Sequence, residues 1–445
     1  MTEGSISKKI LLFALPLFLG QLLQQLYNIA DSMIVGKYLG TDALAAVTSS
    51  GSLIFLLVGF INGLFMGSTV IIGRRNGEKD EAGISRAAHT SVAFGLIAGL
   101  VLTLAGVTIT PLLLKLMGTP ENVMPNSVLY FRIYFLGGLS NVIYNTCCGI
   151  FQAMGDSRRP LHYLIVSAIT NVLLDLLFVA VLGFGVGSAA AATALSQTLS
   201  ACLAFTRLLR EKGPHRIHLS KIKIDAPLLS AELKIGFPTA IQNSVIAIAN
   251  VVVQSNINAF GSTAMAGSGS YFKVEGFAFL PIMSFSMALT TFTSQNMGAQ
   301  KFDRAKKGTR FGIFMGVACA ELIGLLFFLF APVMIGLFSQ EPDVIAIGVR
   351  QAHVETLFYC LLALSHCMAG ILRGAGKTSV PMIIMLACWC LIRITYITIA
   401  VRFFPDIRTI FIAYPLTWSL SSILFTIYYV KADWVHAFQR KKKDL

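Results

Sequence analysis

Charge is what this 445-residue sequence has little of: Asp, Glu, Lys and Arg together make up 13% of it, against 55% hydrophobic residues. That is about half the charged share of an average globular domain, and it excludes a soluble domain with an ordinary solvated surface. Cysteine chemistry is also missing. All eight cysteines (Cys147, Cys148, Cys202, Cys319, Cys360, Cys367, Cys388, Cys390) lie in hydrophobic stretches, without a disulfide framework or zinc spacing, and read as packing residues. The formal net charge of +14 has no nucleic-acid-binding motif behind it, so nucleic acid is not an expected partner. No small-residue cleavage site follows the first apolar run, which is therefore read as a span and not as a signal peptide.

What remains is an all-α polytopic membrane protein. Apolar runs long enough for a bilayer core of about 30 Å fall at 10–36, 49–73, 89–114, 127–151, 160–182, 187–208, 235–258, 266–294, 309–335, 350–372, 380–403 and 409–430, twelve in all. Lys and Arg positions set the orientation. With the amino terminus inside, 27 of the 35 basic residues fall in inner loops and tails, five fall outside, and Arg132, Lys273 and Arg393 lie within spans. Both termini are then cytoplasmic in a multi-pass protein of the cell's inner (plasma) membrane, and topology accounts for the basic excess.

An internal repeat organises the chain. GIFQAMGDSRRPL at 149–161 matches GILRGAGKTSVPM at 370–382 at an offset of 221. Pro16 pairs with Pro238, Gly77 with Gly298, and Thr119-Pro120-Glu121 with Glu341-Pro342-Asp343 at offsets of 221 or 222. Six spans per half is an even number, so both halves enter the membrane from the same side and are expected as two parallel six-helix lobes with pseudo-twofold symmetry. The expected division is 1–211 for the amino lobe, 212–234 for a cytoplasmic linker, 235–433 for the carboxyl lobe and 434–445 for a basic cytoplasmic tail. Pro16 and Pro238 are expected to bend the first and seventh helices.

Polar residues inside the spans point to function. Gln21, Gln24, Gln25, Asn28 and Asp31 fall within roughly a 120° arc of the first helix. Ser167, Asn171 and Asp175 share a face of the fifth at successive i, i+4 spacings. A carboxylate at membrane depth marks a functional site by default. The glutamines serve interhelical hydrogen bonding as readily as substrate contact. For the acids the alternative is pairing with a base, but no Lys or Arg is near on those helices.

The segments ALPLFLGQLLQQLYNIADSMIVGKYLGTDALAA at 14–46, NVLLDLLF at 171–178, SQNMGAQ at 294–300 and GILRGAGKTSVP at 370–381 carry a resemblance: the chain is similar to the multidrug and toxic compound extrusion (MATE) family of cation-coupled exporters. The second loop, GRRNGEKDEAGISRA, lacks the pattern of major facilitator transporters. The resemblance implies an amino-lobe site for H+ or Na+ formed by Asp31, Asn171, Asp175 and Thr193. Two carboxylates in a low-dielectric site share a proton or a cation, and the sequence leaves the ion open.

The acidic pair is not repeated. Gln21 and Asn28 recur as Asn243 and Asn250, whereas Asp31 falls near Val252 or Val253 and Asp175 near Tyr396. Gln21, Gln24, Gln25, Asn28, Asn243, Asn250 and Glu275 are the expected lining of a substrate cavity. Glu321 and Glu355 are expected to be packing or near-interface residues, and Arg393 to pair with a glutamate or a lipid headgroup. Three functions follow from these readings. They are a cation-coupled multidrug antiporter for amphipathic, often cationic compounds, a lipid-linked saccharide flippase, and an intramembrane acid/base enzyme using Asp31 and Asp175. The antiporter fits best, because spans hold few bases for a pyrophosphate and no catalytic motif accompanies the acids. A monomer without a cofactor is expected, and no metal other than the coupling Na+.

Overall fold

In the computed structural model the chain is helical throughout; residues 1–436 are described except 117, 118, 120 and 122. Pro120 of the repeat and most of the basic tail thus lie outside the described residues. The first half runs through α1 (Ile6–Leu39), α2 (Thr41–Glu78), α3 (Glu81–Leu116), α4 (Met124–Leu136), α5 (Gly138–Ala153), α6 (Arg158–Asp175) and α7 (Val186–Leu209). The second runs through α8 (Ala226–Asn258), α9 (Ser262–Gly298), α10 (Phe302–Gly336), α11 (Pro342–Glu355), α12 (Tyr359–Gly374), α13 (Ser379–Met385), α14 (Arg393–Phe403) and α15 (Ile407–Lys431).

Eleven segments among the described residues are long and apolar enough to cross a bilayer, not twelve. The expected span at 127–151 falls on α4 and α5, of 13 and 16 residues, which meet at Gly137. A Cβ at Gly137 would lie 2.9 Å from Ala194 Cβ on α7, so the break coincides with a close helix contact. The corresponding junction of the second half, between α11 and α12, is bridged by a 3-10 turn at Thr356–Phe358. Glu321 of α10 accepts the freed Cys360 N–H there at 3.0 Å.

The helices pack as membrane helices do, with small residues inward and large apolar ones outward. On α10 the buried residues Gly308, Gly312, Gly316, Ala320 and Gly324 recur every four positions. Leu322, Leu329 and Val333 on the other side are 60%, 60% and 66% exposed.

Two compact units form, and each takes a piece of the other half's sequence. One unit is Met1–Phe18 with Phe237–Leu445; the other is Leu19–Gly236. Helices α1 and α8 therefore each change unit along their length, within three residues of Pro16 and Pro238. Both remain helical there, and a proline, which removes one i to i−4 hydrogen bond, is where a helix yields most readily. In the first unit, Ile10, Phe13, Ala14 and Leu17 of α1 enter the core that holds Tyr271, Ile282 and Trp418.

In the second unit the start of α8 is set against α2 with backbone-to-backbone contact. A Cβ at Gly67 would sit 1.9 Å from the Glu232 carbonyl oxygen, and one at Gly236 would sit 2.1 Å from that of Leu64. Glu232 is 2% exposed and accepts from Ser68 Oγ at 2.8 Å and Ser91 Oγ at 3.0 Å, joining α8 to α2 and α3. The preceding stretch, expected as a linker, packs on the same unit: His218 N donates to His89 Nε2 at 2.9 Å and Asp225 N to Thr90 Oγ1 at 3.2 Å. Glu232→Ala strips the two hydroxyls of their buried acceptor and is expected to destabilise the protein by about 1–3 kcal/mol. Glu232→Gln, which keeps one acceptor oxygen, is expected to cost less. A thermal unfolding series in detergent checks both.

Candidate functional site

Three helices of the second unit bring Asp31 (α1), Asn171 and Asp175 (α6) and Thr193 (α7) together. They are 8%, 1%, 0% and 8% exposed. The α6–α7 pair is pinned by Ser167 Oγ donating to Ser196 O at 3.0 Å, and Asn171 Nδ2 donates to Thr193 Oγ1 at 3.3 Å. The carboxyl groups of Asp31 and Asp175 lie close enough for each to act on the other. Among the described residues, no base pairs with either acid.

The oxygen atoms facing this point are short of donors. Asp31 Oδ1, both carboxylate oxygens of Asp175 and Asn171 Oδ1 are buried and receive no hydrogen bond. Buried acceptors of this kind are costly unless something positive joins them. Two carboxylates, an amide oxygen and a hydroxyl suit a shared proton or a hard monovalent cation held by oxygen. No cluster of three or more His, Cys, Asp or Glu able to hold a metal exists among the described residues.

Two further polar groups of this unit are not singled out from the sequence. Tyr130, 4% exposed, feels both acids, and Gln197, one turn after Thr193 on α7, accepts from Asn141 Nδ2 at 3.3 Å. The signal for Gln197 was present as the polar face Thr193, Ser196, Gln197, Ser200 of α7. The polar stripe of α1 is only partly gathered in. Gln21 and Gln25 are half-buried, whereas Gln24 and Asn28 are exposed. In the first unit Asn243 is half-buried and Asn250 exposed.

That unit holds a second buried cluster. Glu275 of α9 is 7% exposed, Glu355 at the end of α11 is fully buried, and Arg393 at the start of α14 is 2% exposed. Glu355 accepts from Gln351 Nε2 at 2.9 Å and from Tyr271 OH at 3.2 Å, and Glu275 Oε1 receives no donor. Arg393 donates to Thr417 Oγ1 from Nε at 3.1 Å and Nη2 at 2.8 Å, and its guanidinium lies 4.3 Å from the Tyr414 ring centroid. It attracts both glutamates without a close ion pair to either. Glu355, expected as a packing or near-interface residue, is buried and belongs to this cluster. The sequence hid it because its partners come from α9, α11 and α14, far apart along the chain.

The α6 and α13–α14 segments share one further irregularity. A π-helical stretch, Leu176–Val181, follows Asp175 directly, and another, Leu386–Ile392, directly precedes Arg393. Such turns concentrate at functional sites.

Fold and buried polar sites together define an all-helical, multi-pass membrane protein built from two related halves. The profile of the MatE family matches residues 16–177 and 238–399, once in each half. Probable multidrug resistance protein YoeA of Bacillus subtilis is 30% identical over 438 residues, 96% of this chain and 94% of that protein. Probable multidrug resistance protein NorM of Thermotoga maritima is 28% identical over 411 residues, covering 90% and 86%. A solved MOP superfamily transporter from Pyrococcus furiosus superposes with a TM-score of 0.92 at 22% identity, over 98% of this chain and 97% of that one, which speaks for the fold alone. The chain belongs to the MatE family, the multidrug and toxic compound extrusion transporters, and is not an enzyme.

Proposed function

We propose that this chain is a cation-coupled antiporter that exports amphipathic, often cationic organic compounds by alternating access, with H+ or Na+ entering through the Asp31–Asp175 unit. One observation supports the reading: two buried carboxylates from different helices meet beside an amide and a hydroxyl, with no basic residue among the described ones to neutralise them. A cation that binds one conformation better than the other biases the exchange between them. The names of relatives support the substrate class, since YoeA, YpnP and NorM are probable multidrug resistance proteins and MepA of Staphylococcus aureus is a multidrug export protein. In this reading the protein is a monomer in the plasma membrane with both termini cytoplasmic. Proteoliposomes given a proton gradient or a sodium gradient separately test the coupling; export that ignores both gradients refutes it.

The glutamate cluster of the first unit then acts on substrate choice. Glu275→Gln removes a buried negative charge whose field extends through a low-dielectric interior. It is expected to weaken export of cationic compounds by about tenfold more than export of neutral ones. Equal losses for a matched cationic and neutral pair in the same vesicles would count against that role.

A further inference from the structure

Arg373 closes α12 inside the repeat motif, where the first half carries Gln152 instead. It is 7% exposed, donates from Nη2 to Ser286 Oγ at 3.0 Å, and its Nε is sealed from solvent without an acceptor. No carboxylate pairs with it among the described residues. The other buried arginine of this unit, Arg393, has two glutamates in its field. Arginine does not shed its proton, so the charge remains, and an uncompensated buried charge is expensive.

The same helix sets an unpartnered imidazole nitrogen nearby. His366 is 8% exposed, its Nε2 has no hydrogen-bond partner, and its carbonyl accepts from the same Ser286 Oγ at 2.7 Å. Its ring stands edge-on to Trp389 at 5.3 Å and to Phe279 at 5.9 Å. A planar guanidinium fork, an imidazole N–H and aromatic walls are the chemistry that recognises an oxyanion on an aromatic or amphipathic molecule. We infer that Arg373 and His366 form an anion site in the first unit, which takes a phosphate or carboxylate group carried by a small molecule or by a lipid headgroup.

The test uses the full-length protein in nanodiscs of zwitterionic lipid and two fluorescent probes that differ by one phosphate, riboflavin and riboflavin 5′-phosphate. The phosphate ester is expected to bind about tenfold more tightly, with the preference lost in Arg373→Gln and kept in part in Arg373→Lys. If the two flavins bind alike, but phosphatidylglycerol in the disc raises the unfolding temperature of the native protein and not of Arg373→Gln, the anion belongs to a lipid. If neither response depends on residue 373, the inference is overturned. Folding supplies an independent reading. Relieving an unpaired buried charge should leave Arg373→Gln at least as heat-stable as the native protein in zwitterionic discs, whereas a clear fall assigns Arg373 a structural role and refutes the site.

Discussion

Asp31→Asn, Asp175→Asn and the double variant are expected to lose gradient-driven export alike, each by about a hundredfold or more, since losing even a supporting partner of a bound ion costs about 10–100-fold. The two acids come from α1 and α6 and face one point with Asn171 and Thr193. A shared proton or cation needs both, so the second substitution has little left to remove. The variants should still insert and fold, because a neutral amide is easier to hold at membrane depth than a carboxylate. Stability separates this from general damage. In cation-free buffer near neutral pH, replacing one of two facing carboxylates relieves repulsion, so the unfolding temperature should hold or rise. If Na+ is the ion, its stabilisation of the native protein should vanish in all three variants. Gradient-driven export by a well-expressed Asp31→Asn would rule out the shared site.

Gly67→Ala and Gly236→Ala are expected to be nearly as damaging, through folding and not through chemistry. In each the added methyl would point at a backbone carbonyl, 1.9 Å from that of Glu232 and 2.1 Å from that of Leu64. Overpacking ordinarily costs about 1–3 kcal/mol. Here the obstacle is main chain, which cannot swing aside, so the loss should lie at or beyond the top of that range. To admit the methyl, α8 must move off α2, and the bonds from Ser68 and Ser91 to Glu232 go with it. Gly269 is the control, with nothing within 4 Å of its added Cβ. Gly269→Ala should be neutral or stabilising by about 0.4–1 kcal/mol. Size-exclusion profiles and unfolding temperatures of the three variants decide the matter; equal behaviour would show that the contact is looser than described.

The parts of this architecture legible in the sequence were those written in local pattern. Long apolar runs, the 221-residue repeat and the i, i+4 run Ser167, Asn171, Asp175 depend on neighbours along one helix. What stayed hidden depends on which helix packs on which. Nothing local to Ile10, Phe13 or Leu17 says that they belong to a core with residues beyond 250. Nothing local to Glu355 says that Tyr271 donates to it, or that Arg393 lies in its field. Nothing local to Arg373, four residues before Lys377, says that the last turn of α12 buries it. The break at Gly137 coincides with a contact to Ala194 on another helix, which no local pattern shows.

The π-helical stretches carry a consequence for cadence. In an α-helix a step of four residues overshoots a full turn by about 40°, so a strict every-fourth pattern winds slowly around the rod; on α10 it drifts from Phe292 and Leu289 of α9 at Gly308 and Gly312 to Thr356 and Tyr359 at Gly324. Yet Pro381, Met385, Trp389, Arg393 and Ile397 are all buried, as are Ser167, Asn171, Asp175 and Val179. Each series runs into or through a π turn, whose extra residue takes up the accumulated overshoot and returns the next side chain to the inner side. Deleting one residue from Leu176–Val181 or from Leu386–Ile392 would therefore do more than shorten a helix. It would swing everything beyond the deletion by about a quarter turn, carrying Arg393 out of its aromatic surroundings in one case and the approach to α7 off its seat in the other.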